Sequence, residues 1–60
     1  MTGKQVIEIF KAHGWNVDRI NGSHYIMVKE GCRSIPIPVH GNEDLGIRAK
    51  KILKQAGIEV

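Results

Sequence analysis

The chain has 60 residues, enough for one domain and close to the lower limit at which a single hydrophobic core supports a fold without disulfides or metal. Nine Lys or Arg against six Asp or Glu give a formal charge of +3 and, with a pI near 9.4, favour a polyanionic partner, nucleic acid first and an acidic protein second. So small a core excludes a deep cleft, and the single cysteine, Cys32, excludes an internal disulfide. Met1-Thr2-Gly3-Lys4-Gln5 lacks the basic stretch and apolar run of a secretory signal or membrane span, so a reducing cytoplasm and no membrane partner are expected.

Thr2 and Gln5 have the spacing of a capping box, and Val6, Ile9, Phe10 and His13 recur at helical intervals before Gly14, which predicts a helix over 3–13. Lys4, Glu8 and Lys11 then point to solvent. Residues 15–20 read as a strand, Asn21-Gly22 as a two-residue hairpin turn, and 23–30 as a second strand. Gly31-Cys32 turns the chain into a third strand over 33–39. Pro36 and Pro38 cannot donate to a ladder, so their missing N–H groups face a free edge and make this strand outermost.

With these turns, Trp15, Val17 and Arg19 lie opposite Val28, Ile26 and His24, and Ile35, Ile37 and Val39 lie opposite the same three residues. Arg19 and His24 are then direct neighbours at one end of an apolar face. The other face carries Asn16, Asp18, Ile20, Tyr25, Met27, Lys29 and Ser34 and stays open. After a loop over 40–44, Leu45, Ala49, Ile52, Leu53 and Ala56 form the stripe of a second helix that stops at Gly57. Lys50, Lys51 and Lys54 fall on its far side with Arg48 on a flank, either an ordinary solvated face or a basic surface, and Ile47 points away from the stripe. The expected architecture is α+β in two layers: a three-stranded antiparallel sheet with both helices on one face, in the order α-β-β-β-α.

Of the three histidines, His13 reads as a packing or capping group, and His40 begins a loop at the end of an edge strand. His24 follows the tight turn at Gly22-Ser23, where an accessible imidazole suits proton transfer and a nearby arginine suits stabilisation of phosphorane-like charge. In RNA such a base can deprotonate a ribose 2′-OH that attacks the adjacent phosphorus without a metal. The histidines are widely spaced and Glu43-Asp44 lacks a third ligand, so no metal and no other cofactor is expected. A Ser23-His24 nucleophilic pair fails because neighbours along a strand point to opposite faces.

Three blocks of the sequence, Asp18-Arg19-Ile20-Asn21-Gly22-Ser23-His24, Ile35-Pro36-Ile37-Pro38-Val39-His40-Gly41-Asn42 and Ile52-Leu53-Lys54-Gln55-Ala56-Gly57-Ile58, resemble in order and spacing the signatures of HicA toxins. The resemblance covers essentially the whole chain. It implies a fold similar to the double-stranded RNA-binding domain and a type II toxin–antitoxin role. The implied activity is an endoribonuclease that cleaves mRNA, and tmRNA with it, as a cytoplasmic mRNA interferase. The implied catalytic residue is His24, the implied partner a HicB-type antitoxin that blocks the active surface, and the complex with it an oligomer. Arg19, Gly22, Ser23, His40, Arg48, Lys50, Lys51 and Lys54 are then the expected RNA contacts. Where many HicA toxins carry Gly-Thr-Leu, this chain has Gly46-Ile47-Arg48, so Asp44 or Gly46 must cap the second helix. The competing reading of the same residues is a non-catalytic RNA-binding module, which would bind RNA in a salt-sensitive way without cutting it.

Overall fold

Thr2 starts the first helix by the reciprocal bonds its spacing predicts. Its hydroxyl oxygen accepts from the Gln5 N–H at 3.3 Å, while the Gln5 side-chain oxygen accepts from the Thr2 N–H at 2.8 Å. The computed structural model describes residues 1–59. Their order is α1 (Gly3–Ala12), β1 (Asn16–Asn21), β2 (His24–Val28), β3 (Ile35–Pro38) and α2 (Ile47–Gln55). The three strands form one antiparallel sheet in the order β1-β2-β3.

The core is shared by the two helices and one sheet face. Val6, Ile7 and Phe10 from α1, Ala49 and Leu53 from α2, and Met27, Ile35 and Ile37 from the sheet are all buried, with Trp15, Leu45 and Ile58 closing the ends. The Phe10 and Trp15 rings meet at 5.0 Å between centroids, tilted by 57°. Both helices therefore cover the face carrying Met27, Ile35 and Ile37, as the apolar stripes require. At the start of α1 the fit is tightest: a Cβ on Gly3 would stand 2.3 Å from the Pro38 carbonyl oxygen, so only glycine lets the helix approach β3 there.

The prolines sit as expected. The Val39 N–H donates to the Ser23 carbonyl at 2.8 Å, and bonded pairs recur at alternate positions of an antiparallel ladder. Tyr25↔Ile37 and Met27↔Ile35 continue that series, whereas Pro36 and Pro38, opposite Ile26 and His24, fall between and turn their missing N–H groups to the free edge.

The registers differ from those expected. β2 pairs with β1 as Asn21↔His24, Ile20↔Tyr25 and Arg19↔Ile26, then shifts at an irregularity between Val17 and Arg19 to Val17↔Met27 and Asn16↔Val28. Two causes act here. The central turn residues are Gly22 and Ser23, not Asn21 and Gly22: Gly22 has a φ of 62°, whereas an Asn21-Gly22 turn of the type I′ class would need a positive φ at Asn21, and among the described residues none other than glycine has one. The extra residue at Asp18 then moves the ladder by one position, as a β-bulge does. Between β2 and β3 the tight Gly31-Cys32 turn is replaced by one in which the Cys32 N–H donates to the Lys29 carbonyl at 3.0 Å with Gly31 at φ 79°, and β3 moves by one residue. As a result Tyr25 and Met27 face the helices, while His24, Ile26 and Val28 lie on the open face with Pro36 and Pro38 opposite.

The segment after β3 is tied to the start of the chain. Thr2 bridges Asp44, the Leu45 N–H donates to the Met1 carbonyl at 2.8 Å, and the Asp44 carboxylate accepts from the Met1 ammonium at 2.6 Å and from the Gly46 N–H at 2.9 Å. Gly46 is the N-cap of α2 and offers no side-chain bond, so Asp44 supplies the carboxylate at that end. The ammonium hydrogen bond first, then that of Gly46 and the ammonium charge, hold the Asp44 carboxyl below its usual 3.8.

Phe10→Ala should cost about 3–5 kcal/mol, a large part of the roughly 3–9 kcal/mol available to 60 residues. Urea denaturation followed by circular dichroism should therefore show a largely unfolded variant. For Asp44 the depressed carboxyl stabilises the fold above its unfolded value and loses that effect as pH falls through the lower folded value. Asp44→Asn should be less stable than the parent at pH 6, with the difference in melting temperature closing well below pH 3.8.

Candidate active site

The β1–β2 hairpin ends in a turn with the pattern of type II′, positive φ at Gly22 and none at Ser23. A Cβ on Gly22 would meet nothing within 4 Å, so the space beside the turn is open. His24 is the first residue of β2, exposed, on the face of the sheet that no helix covers, with Asn21 opposite on one side and Pro38 on the other. A ligand reaches this imidazole without any part of the core moving.

Arg19 shares that face but is not directly across from His24. It pairs with Ile26, one diagonal step away, about 7–8 Å between backbones. Its Nη1 donates to Asp18 Oδ2 at 2.6 Å, with both side chains substantially exposed. Neighbours in a regular strand point apart, so this contact follows from the irregularity at Asp18, and it offsets much of the positive charge expected beside His24. Ser23 is half-buried and uses its carbonyl to hold Val39. His40 is exposed just beyond β3, its carbonyl accepting from the Glu43 N–H at 3.0 Å.

The remaining expected contacts belong to the helical layer. Arg48, Lys50, Lys51 and Lys54 are exposed on α2, and none forms an ion pair with a described residue, so all four are free to meet phosphates. The structure thus gathers Arg19, Gly22, Ser23, His24 and His40 at one end of the sheet, while the α2 cations belong to the helical layer on its other face. Sequence reasoning missed Asn21 and Pro38 as the cross-strand partners of His24, and Asp18 as the partner of Arg19; the adjacent opposite charges of Asp18-Arg19 were the one available signal.

Other candidate groups lie elsewhere. His13 caps α1, its Nδ1 paired with the Ile9 carbonyl at 2.9 Å and its own carbonyl accepting from Lys29 at 2.9 Å. It is exposed, so it caps without packing. Cys32 lines a shallow cavity of about 400 Å³ with Trp15, Arg33, Ser34, Ile35, Gln55 and Ala56, at the end of the sheet away from His24. Among the described residues no three His, Cys, Asp or Glu side chains stand together as metal ligands. Among the described residues no helix is long and apolar enough to cross a membrane.

Residues 3–58 match the family model described as HicA toxin of bacterial toxin-antitoxin. One solved structure, a toxin–antitoxin complex from Streptococcus pneumoniae, contains a chain 41% identical to this one, and the two superpose with a TM-score of 0.81 over 97% of this chain and 98% of that one. No curated protein matches the chain.

Gly22→Ala meets open space and suffers only from the positive φ, so it should cost about 1–2 kcal/mol. Gly3→Ala drives a Cβ into the Pro38 carbonyl and should cost more. Thermal denaturation of the two variants side by side checks the order; an equal or reversed loss contradicts the turn and the helix contact described here.

Proposed function

The chain belongs to the HicA toxin family, and we propose that it acts as a metal-independent endoribonuclease on mRNA, and on tmRNA, held inactive by a HicB-type antitoxin that covers its open sheet face. The observation that carries this reading is His24: an imidazole at the mouth of a glycine turn, exposed on a sheet face left bare, with open space beside it. Acting as general base, it takes the proton of a ribose 2′-OH. The O2′ atom then attacks the adjacent phosphorus, the bond to O5′ breaks, and a 2′,3′-cyclic phosphate and a 5′-OH remain.

Gly22 lets the RNA backbone approach, and Ser23, whose carbonyl holds Val39, helps position the scissile group by fixing the turn that presents His24. Arg19 lends a donor to the phosphate from its pair with Asp18. Arg48, Lys50, Lys51 and Lys54 attract and hold phosphates further along the strand, a role that positions RNA without reading its sequence. The partner is assigned on the likeness to a chain from a toxin–antitoxin complex and on the exposure of the same face. Binding there inhibits by occlusion, and the complex is an oligomer of toxin and antitoxin.

His24→Ala should lower RNA cleavage by at least about 100-fold, the lower end of general acid–base contributions, and abolish growth arrest, with the circular dichroism spectrum and RNA binding retained. Parent cleavage should persist in EDTA and leave cyclic phosphate ends. Undiminished cleavage by the variant rejects His24 as catalyst, loss of activity in EDTA rejects the metal-free route, and salt-sensitive binding without scission by the parent favours a binding module.

A further inference from the structure

Transfer of a proton from O2′ accounts for half of the reaction, because the departing O5′ must gain one. We infer that His40 is the general acid that supplies it, an inference that rests on the nuclease function proposed above. His24↔Pro38 is an opposed pair, and the bond from the Val39 N–H to the Ser23 carbonyl carries the ladder one residue beyond β3. Continued one residue further, that register puts position 40 in phase with Pro38 and His24, on the open face, whereas the register expected from the sequence placed His24 on the apolar face, away from it. Its place is one diagonal step from His24, about 7–8 Å between backbones. Two imidazoles that far apart can flank one phosphate.

Between them the face is clear. The same register continued two residues beyond His24↔Pro38 sets Gly22 across from position 40, and Gly22 has no side chain and nothing within 4 Å of where one would begin. The loop that carries His40 is also held at both ends: Gly3 packs against Pro38 and Val39 on one side, and the Thr2↔Asp44 bridge and the bond from the Leu45 N–H to the Met1 carbonyl fix the other.

Among the described side chains of β1 and β2 at this end of the sheet no other takes the role, and the Asp18 carboxylate is held as an acceptor by Arg19. Arg19 does not release a proton in proteins and is paired with Asp18. Asn21, Ile26 and Pro38 do not titrate, and Tyr25 faces the helices. His13 and Cys32 lie beyond the far end of β2, a strand whose five residues span about 14 Å. The proton count then closes: His24 gains the 2′-OH proton as the O2′–P bond forms, and His40, entering protonated, gives its proton to O5′ as the P–O5′ bond breaks.

The test uses a linkage whose leaving group needs no acid. A cleavage site is mapped on a transcript, and oligonucleotides are made with that site as an ordinary phosphodiester or with sulfur in place of O5′, since a thiolate departs without a proton. His40→Ala and His40→Gln should each cut the ordinary linkage at least about 100-fold more slowly than the parent, yet cut the thio linkage at close to the parental rate. His24→Ala should be slow on both. The alkaline limb of the parental pH–rate profile should disappear in both His40 variants. The inference is overturned if either His40 variant cuts the ordinary linkage at the parental rate, or if the two are equally slow on both linkages, which marks a binding or structural role. A parent that cuts neither linkage overturns the nuclease function itself, and this inference with it.

Discussion

The two-residue turn at Gly22-Ser23 couples the core to the candidate site. Side chains alternate along a strand, so the register that buries Met27 completely and turns Tyr25 inward is the same register that turns His24 outward. A slip of one residue would bring His24 and Ile26 under the helices and expel Met27. That slip is resisted by the methionine's apolar burial, about 1.5–3 kcal/mol, and by the desolvation of an imidazole with no partner in the core. Folding and exposure of the histidine are one constraint, set by the only residue type that takes a φ of 62° without strain.

The rest of the candidate site is built from backbone, because a 60-residue core has no volume to spare for a cleft. α1 begins flush against β3 through Gly3, and the first two residues bridge the segment that enters α2. These contacts hold the loop containing His40 where it leaves the sheet. The prolines of β3 close the neighbouring edge to further strands, which leaves the flat face, and not that edge, as the surface for a ligand.

Much of the architecture was legible in the sequence because its causes are local. The Thr2/Gln5 box, the stripes of both helices and the paired prolines act over a few residues and do not depend on distant partners. The register was not legible. His24-Tyr25-Ile26-Met27-Val28 is apolar or aromatic at four of five positions, so alternation gives no preference between its faces. The choice was made by which of Asn21 and Gly22 opens the turn and by the extra residue at Asp18, features that alternation does not encode. Most residues of the candidate site were named from the sequence, through the likeness of three short blocks to one family. That likeness supplied a reaction that no pattern of strands or helices contains.

Charge and chemistry are distributed differently over this surface. At the hairpin the Arg19 charge is matched by Asp18, whereas the cations of α2 pair with no described residue. Over a molecule whose thinnest extent is 16 Å, and with screening over about 8 Å at physiological ionic strength, those cations act on the part of a polyanion that lies against them and little on the imidazole itself. In the function proposed here for the chain, capture of RNA and its cleavage thereby become separable properties. On that proposal, a partner that occupies the bare sheet face would stop the chemistry without neutralising the helix, and one that extends acidic groups over α2 would also displace RNA held there.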